Sequence, residues 1–352
     1  MKLSQIPVFA FIFTSILSLS SCISTDTIDP DTPETHGDEL VIRISAPSDV
    51  KTRSHDGFYL RYVAKVYRVQ NSSTFLYNEY YKREEILDGA NDKNEMKFYV
   101  EPNYDYNIVV FADYIPDTTI GDDGYYNDYF YNTKISVPNG DVEPNDIVMY
   151  ATPGDPNSTK VSPLFFNNDN YDCFSAIKSK ETKKDGEPLV LDMTLKRVVS
   201  KVIFRDNSNP EEAGTFSKIT FTELPFLYQY TMANQQAWQI SNKYATKNLV
   251  VKAEDIAECD EDGFLYFYSF ANNNNNTRLN FGFSIEIEEN DKVVTVDNQW
   301  FQIQQNRKTI ILGSLIPKKE DQGQEGQFSD EDAIIVHPTV IQEWDDDSNH
   351  EI

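Results

Sequence analysis

Cys22 has the most telling chemical surroundings of any residue in this sequence. It follows Leu19-Ser20-Ser21 and closes an apolar run, residues 6–19, that begins just after Met1-Lys2. A basic start, an apolar core and small residues before the cut make a secretory signal. A cysteine directly after the small pair makes it the signal of a bacterial lipoprotein. The Cys22 thiol is expected to take a diacylglycerol, and cleavage then leaves Cys22 as the lipid-bearing N-terminus. The plainer alternative is an ordinary signal with an unmodified cysteine. The apolar run is shorter than the ~20 residues needed to span a bilayer. Residues 1–21 are therefore expected to be removed, with the mature chain tethered by lipid outside the cytoplasm.

The second chemically suggestive stretch is Asp122-Asp123-Gly124-Tyr125-Tyr126-Asn127-Asp128-Tyr129. Its carboxylates and amides are oxygen ligands suited to Ca²⁺, without the spacing of an EF-hand. Its tyrosines, with Trp238 and Trp300, could stack on sugar rings. The competing expectation is a solvated turn for the loop and a place in the core for both tryptophans. Cys173 and Cys259 could form a disulfide outside the cytoplasm or sit as two small buried thiols. His36, His55, His337 and His350 are scattered without ligand spacing, so no metal site is assigned. No nucleophile elbow, zinc-protease motif or phosphate-binding glycine loop occurs. Carboxylates are too frequent to single out a glycosidase pair. The reading is a non-enzyme with no cofactor and no catalytic residue.

Composition narrows the partners. The 352 residues carry a formal net charge of −26, which excludes a general nucleic-acid binder, because phosphate recognition needs Lys and Arg. Such a charge suits a body that stays dispersed in an exposed, salty place. Tyr at 21 and Phe at 22 are abundant while Gly at 14 is scarce, which favours strands.

The elements that would position these residues are short strands bounded by Pro, Gly, Asn or Asp. Residues 22–39 are polar and acidic and read as a flexible tether. Strand patterns follow at 40–46, 58–69, 96–100 and 106–114, the last apolar enough for a central strand covered on both faces. Residues 116–132 and 152–170 read as irregular, and a short helix is allowed near 83–87. The pattern restarts at Pro188, where Leu189, Leu191, Met193 and Leu195 alternate with other residues. Strand signals continue at 218–224, 248–253, 264–271, 278–288, 293–296 and 309–316. Residues 318–330 look flexible, and a last strand-like piece, 333–344, contains Pro338, which marks an edge or a break. The expected architecture is all-β: two sandwiches in series. The division is 40–180 and 188–317, with the boundary between Phe174 and Leu189 and a tail over 318–352.

Several dispersed segments resemble the fimbrillin superfamily, the FimA/Mfa-like lipoprotein pilins that build type V pili in Bacteroidales. Leu40-Val41-Ile42-Arg43-Ile44-Ser45 with Lys51-Thr52-Arg53-Ser54 resembles that family's first strand and maturation site. Val63-Ala64-Lys65-Val66-Tyr67 is similar to its next strand. Tyr106-Asn107-Ile108-Val109-Val110-Phe111-Ala112-Asp113-Tyr114 resembles a strand ending in Ala-Asp-Tyr, and Tyr171-Asp172-Cys173-Phe174 a segment in which Cys173 replaces alanine. Leu195-Lys196-Arg197-Val198-Val199-Ser200-Lys201-Val202 is similar to the opening of the second domain. Asn306-Arg307-Lys308-Thr309-Ile310-Ile311-Leu312-Gly313 and Val340-Ile341-Gln342-Glu343-Trp344 resemble the closing strands.

The resemblance implies two transthyretin-like β-sandwich domains, export to the outer membrane and cleavage after Arg53, before Ser54. Loss of the first strand would open a groove that a strand of another subunit fills by β-augmentation. The candidate donor residues are Ile334, Val336, Val340 and Trp344, although Asp345, Asp346 and Asp347 beside them would fill a groove poorly. The implied partners are other fimbrial subunits, self or accessory, outer-membrane lipid through Cys22, and a host or glycan receptor. The alternative is a monomeric surface lipoprotein that binds glycans through the tyrosine-rich loop.

Overall fold

Alternation along each strand decides which side chains meet a core. The computed structural model describes residues 38–46, 57–69, 80–86, 95–133, 146–155, 157–158, 160–207, 211, 213–224, 226–238, 248–256, 264–273, 277–288, 291, 293–316 and 337–343. Regular structure among them is strand, apart from single 3-10 turns at Pro163–Phe165, Asp169–Tyr171 and Ala253–Asp255.

The first half forms two facing sheets. One contains β1 (Glu39–Ser45), β4 (Glu95–Tyr99) and β9 (Leu189–Thr194), in the order β4-β1-β9. The other runs β10-β8-β5-β2-β3, made of β2 (Tyr59–Arg68), β3 (Tyr80–Ile86), β5 (Tyr104–Ile115), β8 (Cys173–Lys183) and β10 (Lys196–Arg197). Strand β5 shows why its sequence is almost continuously apolar. Tyr106, Ile108, Val110, Ala112 and Tyr114 face the core shared with β1, while Val109 and Phe111 on the other face join a second core. A strand between two cores needs both of its faces apolar, as expected from the sequence.

The second half stacks a sheet of β11 (Val199–Asp206), β16 (Leu265–Phe270), β19 (Arg307–Gly313) and β20 (His337–Glu343) with one of β12 (Phe216–Glu223), β15 (Leu249–Lys252), β17 (Thr277–Ile287) and β18 (Val293–Ile303). The orders are β16-β11-β19-β20 and β15-β12-β17-β18. A fifth sheet, β14-β13-β7-β6, ties the halves together. It pairs β7 (Asp146–Met149) with β13 (Gln229–Thr231), flanked by β6 (Tyr131–Asn132) and β14 (Gln236–Trp238). The second core runs through this joint, from Phe111 and Tyr131 to Phe221 and Phe283.

The stretch 152–170 is irregular in backbone but buried in part. Phe165 and Phe166 are fully buried, and Phe166 stacks on Phe221 at 5.6 Å. Three sequence expectations change. Residues 83–86 are strand, not helix, because β3 pairs along β2 and closes that sheet edge. Strand β18 continues past Val296 to Ile303. Strand β9, placed by the sequence at the start of the second half, pairs in parallel with β1, Leu40 opposite Leu189 through Ser45 opposite Thr194.

Candidate functional site: the strand β1 seat and the loop behind it

The sequence Leu40-Val41-Ile42-Arg43-Ile44 sends Leu40, Ile42 and Ile44 inward, where they are nearly or fully buried beside Met96, Phe98, Leu191 and Met193. Burying one such side chain is worth ~1.5–3 kcal/mol. β1 is the middle strand of its sheet. Its backbone is paired antiparallel to β4, Glu39 opposite Tyr99 through Arg43 opposite Glu95, and parallel to β9 on the other side. Two backbone bonds close the ends: Val100 N–H donates to Asp38 (2.9 Å) and Leu195 N–H to Ser45 (2.9 Å).

The outer face of β1 carries Glu39, Val41, Arg43 and Ser45, three polar residues around one largely buried valine. Arg43 Nε reaches Glu95 Oε1 at 2.9 Å, and Asp192 lies opposite Arg43 on the other neighbour. Ser45 Oγ donates to Thr194 Oγ1 at 3.2 Å, and Lys97 Nζ lies 3.9 Å from Glu39 Oε1. Strand β20 differs. Among the described residues it pairs with one neighbour, β19, at the sheet edge, and the register breaks between Thr309 and Ile311, where Pro338 stands opposite Ile311. This matches the edge or break expected of Pro338. Val340 lies in β20. Cys22, Arg53, Ser54, Ile334, Val336 and Trp344 lie outside the described residues, as does Cys259. Cys173 is a buried free thiol, and burial pushes its pKa well up.

On the opposite face of the β5–β2 sheet, the acidic loop is fastened rather than open. Arg61 on β2 is fully buried and grips Asp113 on β5 with two bonds, Nε–Oδ1 at 2.9 Å and Nη2–Oδ2 at 2.7 Å. Its Nη1 holds Asp128 Oδ1 at 2.8 Å, with Glu84 Oε2 at 3.8 Å. Asp128 also accepts from the Thr133 backbone and hydroxyl, both at 2.9 Å. Tyr126 N–H donates to Glu84, and Lys82 lies 4.1 Å over the Tyr125 ring. Burial works against the Arg61 charge, but Asp113, Asp128 and Glu84 outweigh it and hold the guanidinium above its ordinary range. Burial pushes Asp113 up to about 6 against the pull of Arg61. Several carboxylates crowd one dry site, so the arginine stays charged while burial disfavours the ionised form of Asp113.

The loop residues therefore divide. Asp122 and Asp123 are exposed, and Asp123 accepts from Tyr125 N–H in a local turn. Asp128 is spent on Arg61 and Thr133. Tyr125, Tyr126 and Tyr129 are half-buried, with Tyr129 against Phe130. Among the described residues no group of three or more His, Cys, Asp or Glu could hold a metal ion. Trp238 and Trp300, expected in the core, are instead 46% and 43% exposed. Both sit on outward positions of their strands: Phe301 and Ile303 point in, so Trp300 points out, with Arg278 4.4 Å over its ring.

Sequence reasoning missed Arg61 and a second buried pair at the joint. There Arg197 binds Asp172 at 2.7 and 2.8 Å, with Asn306 at 3.1 Å. The available signal for Arg61 was a charge flanked by apolar strand residues, which is seldom fully buried without a partner.

Residues 32–349 match the model of a family of unknown function, DUF6562. No curated protein matches the chain. Among solved structures, the tip fimbrial protein Mfa3 of Porphyromonas gingivalis, with C-terminal truncation, is 12% identical, with a TM-score of 0.42, and the match covers 86% of this chain and 99% of that one. A fimbrial assembly protein from Parabacteroides distasonis is 8% identical at a TM-score of 0.37, with 78% and 90% covered. A Bacteroides ovatus structure assigned to cell adhesion is 11% identical at 0.41, with 87% and 96% covered. Because the family model spans most of its length, this chain belongs to DUF6562, a family of unknown function.

Proposed function

We propose that this chain is a non-enzymatic, lipid-anchored outer-membrane protein, a subunit of a type V fimbrium or a fimbrillin-like adhesin, that exchanges β1 for a strand of another subunit. The observation that carries the reading is the position of β1. It is the middle strand of a three-stranded sheet, so its removal would expose two strand edges and an apolar floor together. In this reading Cys22 carries the lipid, and residues 22–39 tether the body. A cut after Arg53 falls between β1 and β2 and separates β1 covalently while leaving it seated. The sheets group into two transthyretin-like sandwiches, the first including β9. The segment with Ile334, Val336, Val340 and Trp344 serves as the strand donated to a neighbour.

The test is arginine-specific cleavage of the full mature chain, followed by gel and sizing analysis, alone and with candidate partner subunits. Assembly is expected after cleavage, with none from Arg53→Ala. Cleaved protein that stays monomeric with every partner contradicts the reading.

A second reading, a monomeric surface glycan-binding lipoprotein, is favoured by the exposure of Trp238 and Trp300. Glycan-array binding lost in Trp238→Ala or Trp300→Ala, with assembly absent, would select it.

A further inference from the structure

The outer face of β1 limits what can replace it. At the level of Arg43 the two neighbouring strands each present a carboxylate, Glu95 on β4 and Asp192 on β9. Arg43 is already bound there, 2.9 Å from Glu95. Any strand that takes the seat of β1 places one outward side chain between these two acids. Like charges directly opposite one another in a sheet are destabilising, and opposite charges are favourable.

We infer that the β1 seat is a basic-strand receptor: its occupant is a strand of a different protein that carries Lys or Arg on its outward face, level with Glu95 and Asp192. This rests on the strand-exchange reading above. Two features of the sequence argue against the C-terminal segment of a second copy as the donor. Residues 333–344, Ala-Ile-Ile-Val-His-Pro-Thr-Val-Ile-Gln-Glu-Trp, contain no Lys or Arg on either face, and one register would put Glu343 between the two acids. Asp345, Asp346 and Asp347 follow directly, and the whole chain carries a formal net charge of −26, so two copies repel. Specificity of this kind comes as much from penalising the wrong strand as from rewarding the right one.

The experiment uses the full mature chain with a sequence-specific protease site in place of residues 51–54. After cutting, it is incubated with excess labelled peptides, and incorporation is read by native mass spectrometry. The natural peptide 38–50 and its Arg43→Lys form are expected to enter. The Arg43→Glu peptide is expected to enter about tenfold less well, and peptide 333–344 no better than that. Glu95→Lys in the body should restore the Arg43→Glu peptide. If natural and Arg43→Glu peptides enter equally, the charge selection is overturned while strand exchange stands. Entry of peptide 333–344 at the natural level overturns the argument against that segment. If no peptide enters, the natural one included, strand exchange itself fails, and the inference with it.

Discussion

Strands β1 and β20 stand near opposite ends of the described chain and are held in opposite ways. β1 has a strand on each side and three inward aliphatic side chains in a core, whereas β20 has one neighbour among the described residues and a broken register at Pro338. Losing β20 would leave one sheet edge a strand shorter. Losing β1 would leave two facing edges over an apolar floor, which only another strand can refill. In the proposed reading the contrast separates a seat from a strand to be donated: β1 fills a slot paired on both sides, and β20 is paired to β19.

The largest expected effect tests that contrast directly. Ile42→Ala removes a fully buried side chain from the middle of β1 and should cost ~2–5 kcal/mol in urea unfolding. Truncation before His337 removes a whole edge strand yet should cost less, because β20 pairs on one side only. If truncation proves the more damaging, β20 is an integral strand and the comparison fails.

A second prediction sharpens the difference between the two cores by pH. Burial pushes Tyr62 and Tyr106, in the core around β1, up to about 12. It raises Tyr131 and Tyr268, in the core that runs through the joint, well above their ordinary value, with Cys173 and Asp169 respectively adding to the shift. An unfolded phenol titrates near ~10. The folded state therefore holds these protons more tightly, so their stabilisation is complete below about pH 10 and is lost as the pH rises through the folded values. Tyrosinate absorbance and circular dichroism, followed together from pH 9 upward, should show these phenols ionising with unfolding. Their titration near pH 10 with native dichroism intact would contradict the burial on which both cores rest.

Much of the fold is legible because strands report their faces. The alternation of residues 40–46 and the double-faced run of 106–114 follow from which cores they touch. Trp300 was not legible: the strand pattern ended at 296, and only the continuation of β18 to Ile303, with Phe301 and Ile303 inward, puts the tryptophan outside. Strand β3 escaped notice because Lys82, Arg83, Glu84 and Glu85 carry no apolar period; pairing with β2 makes it a strand. The acidic loop looked solvated because the partner of Asp128, Arg61, lies 67 residues earlier in sequence. Long-range ion pairing leaves no local pattern. The parallel union of β1 with β9 was hidden for the same reason: only the assembled sheet brings Leu40 to Leu189.

The most direct test of the central claim is the fate of β1 itself. The link between β1 and β2 is cut in isotopically labelled mature protein, and the labelled 38–45 segment is followed by mass spectrometry against unlabelled peptide of the same sequence. The account predicts that the segment stays bound after cutting and is then slowly replaced by free peptide, while β20 in the same molecules stays covalently attached and the rest of the fold keeps its dichroism. A segment that never exchanges, or a body that unfolds as soon as the link is cut, would contradict it.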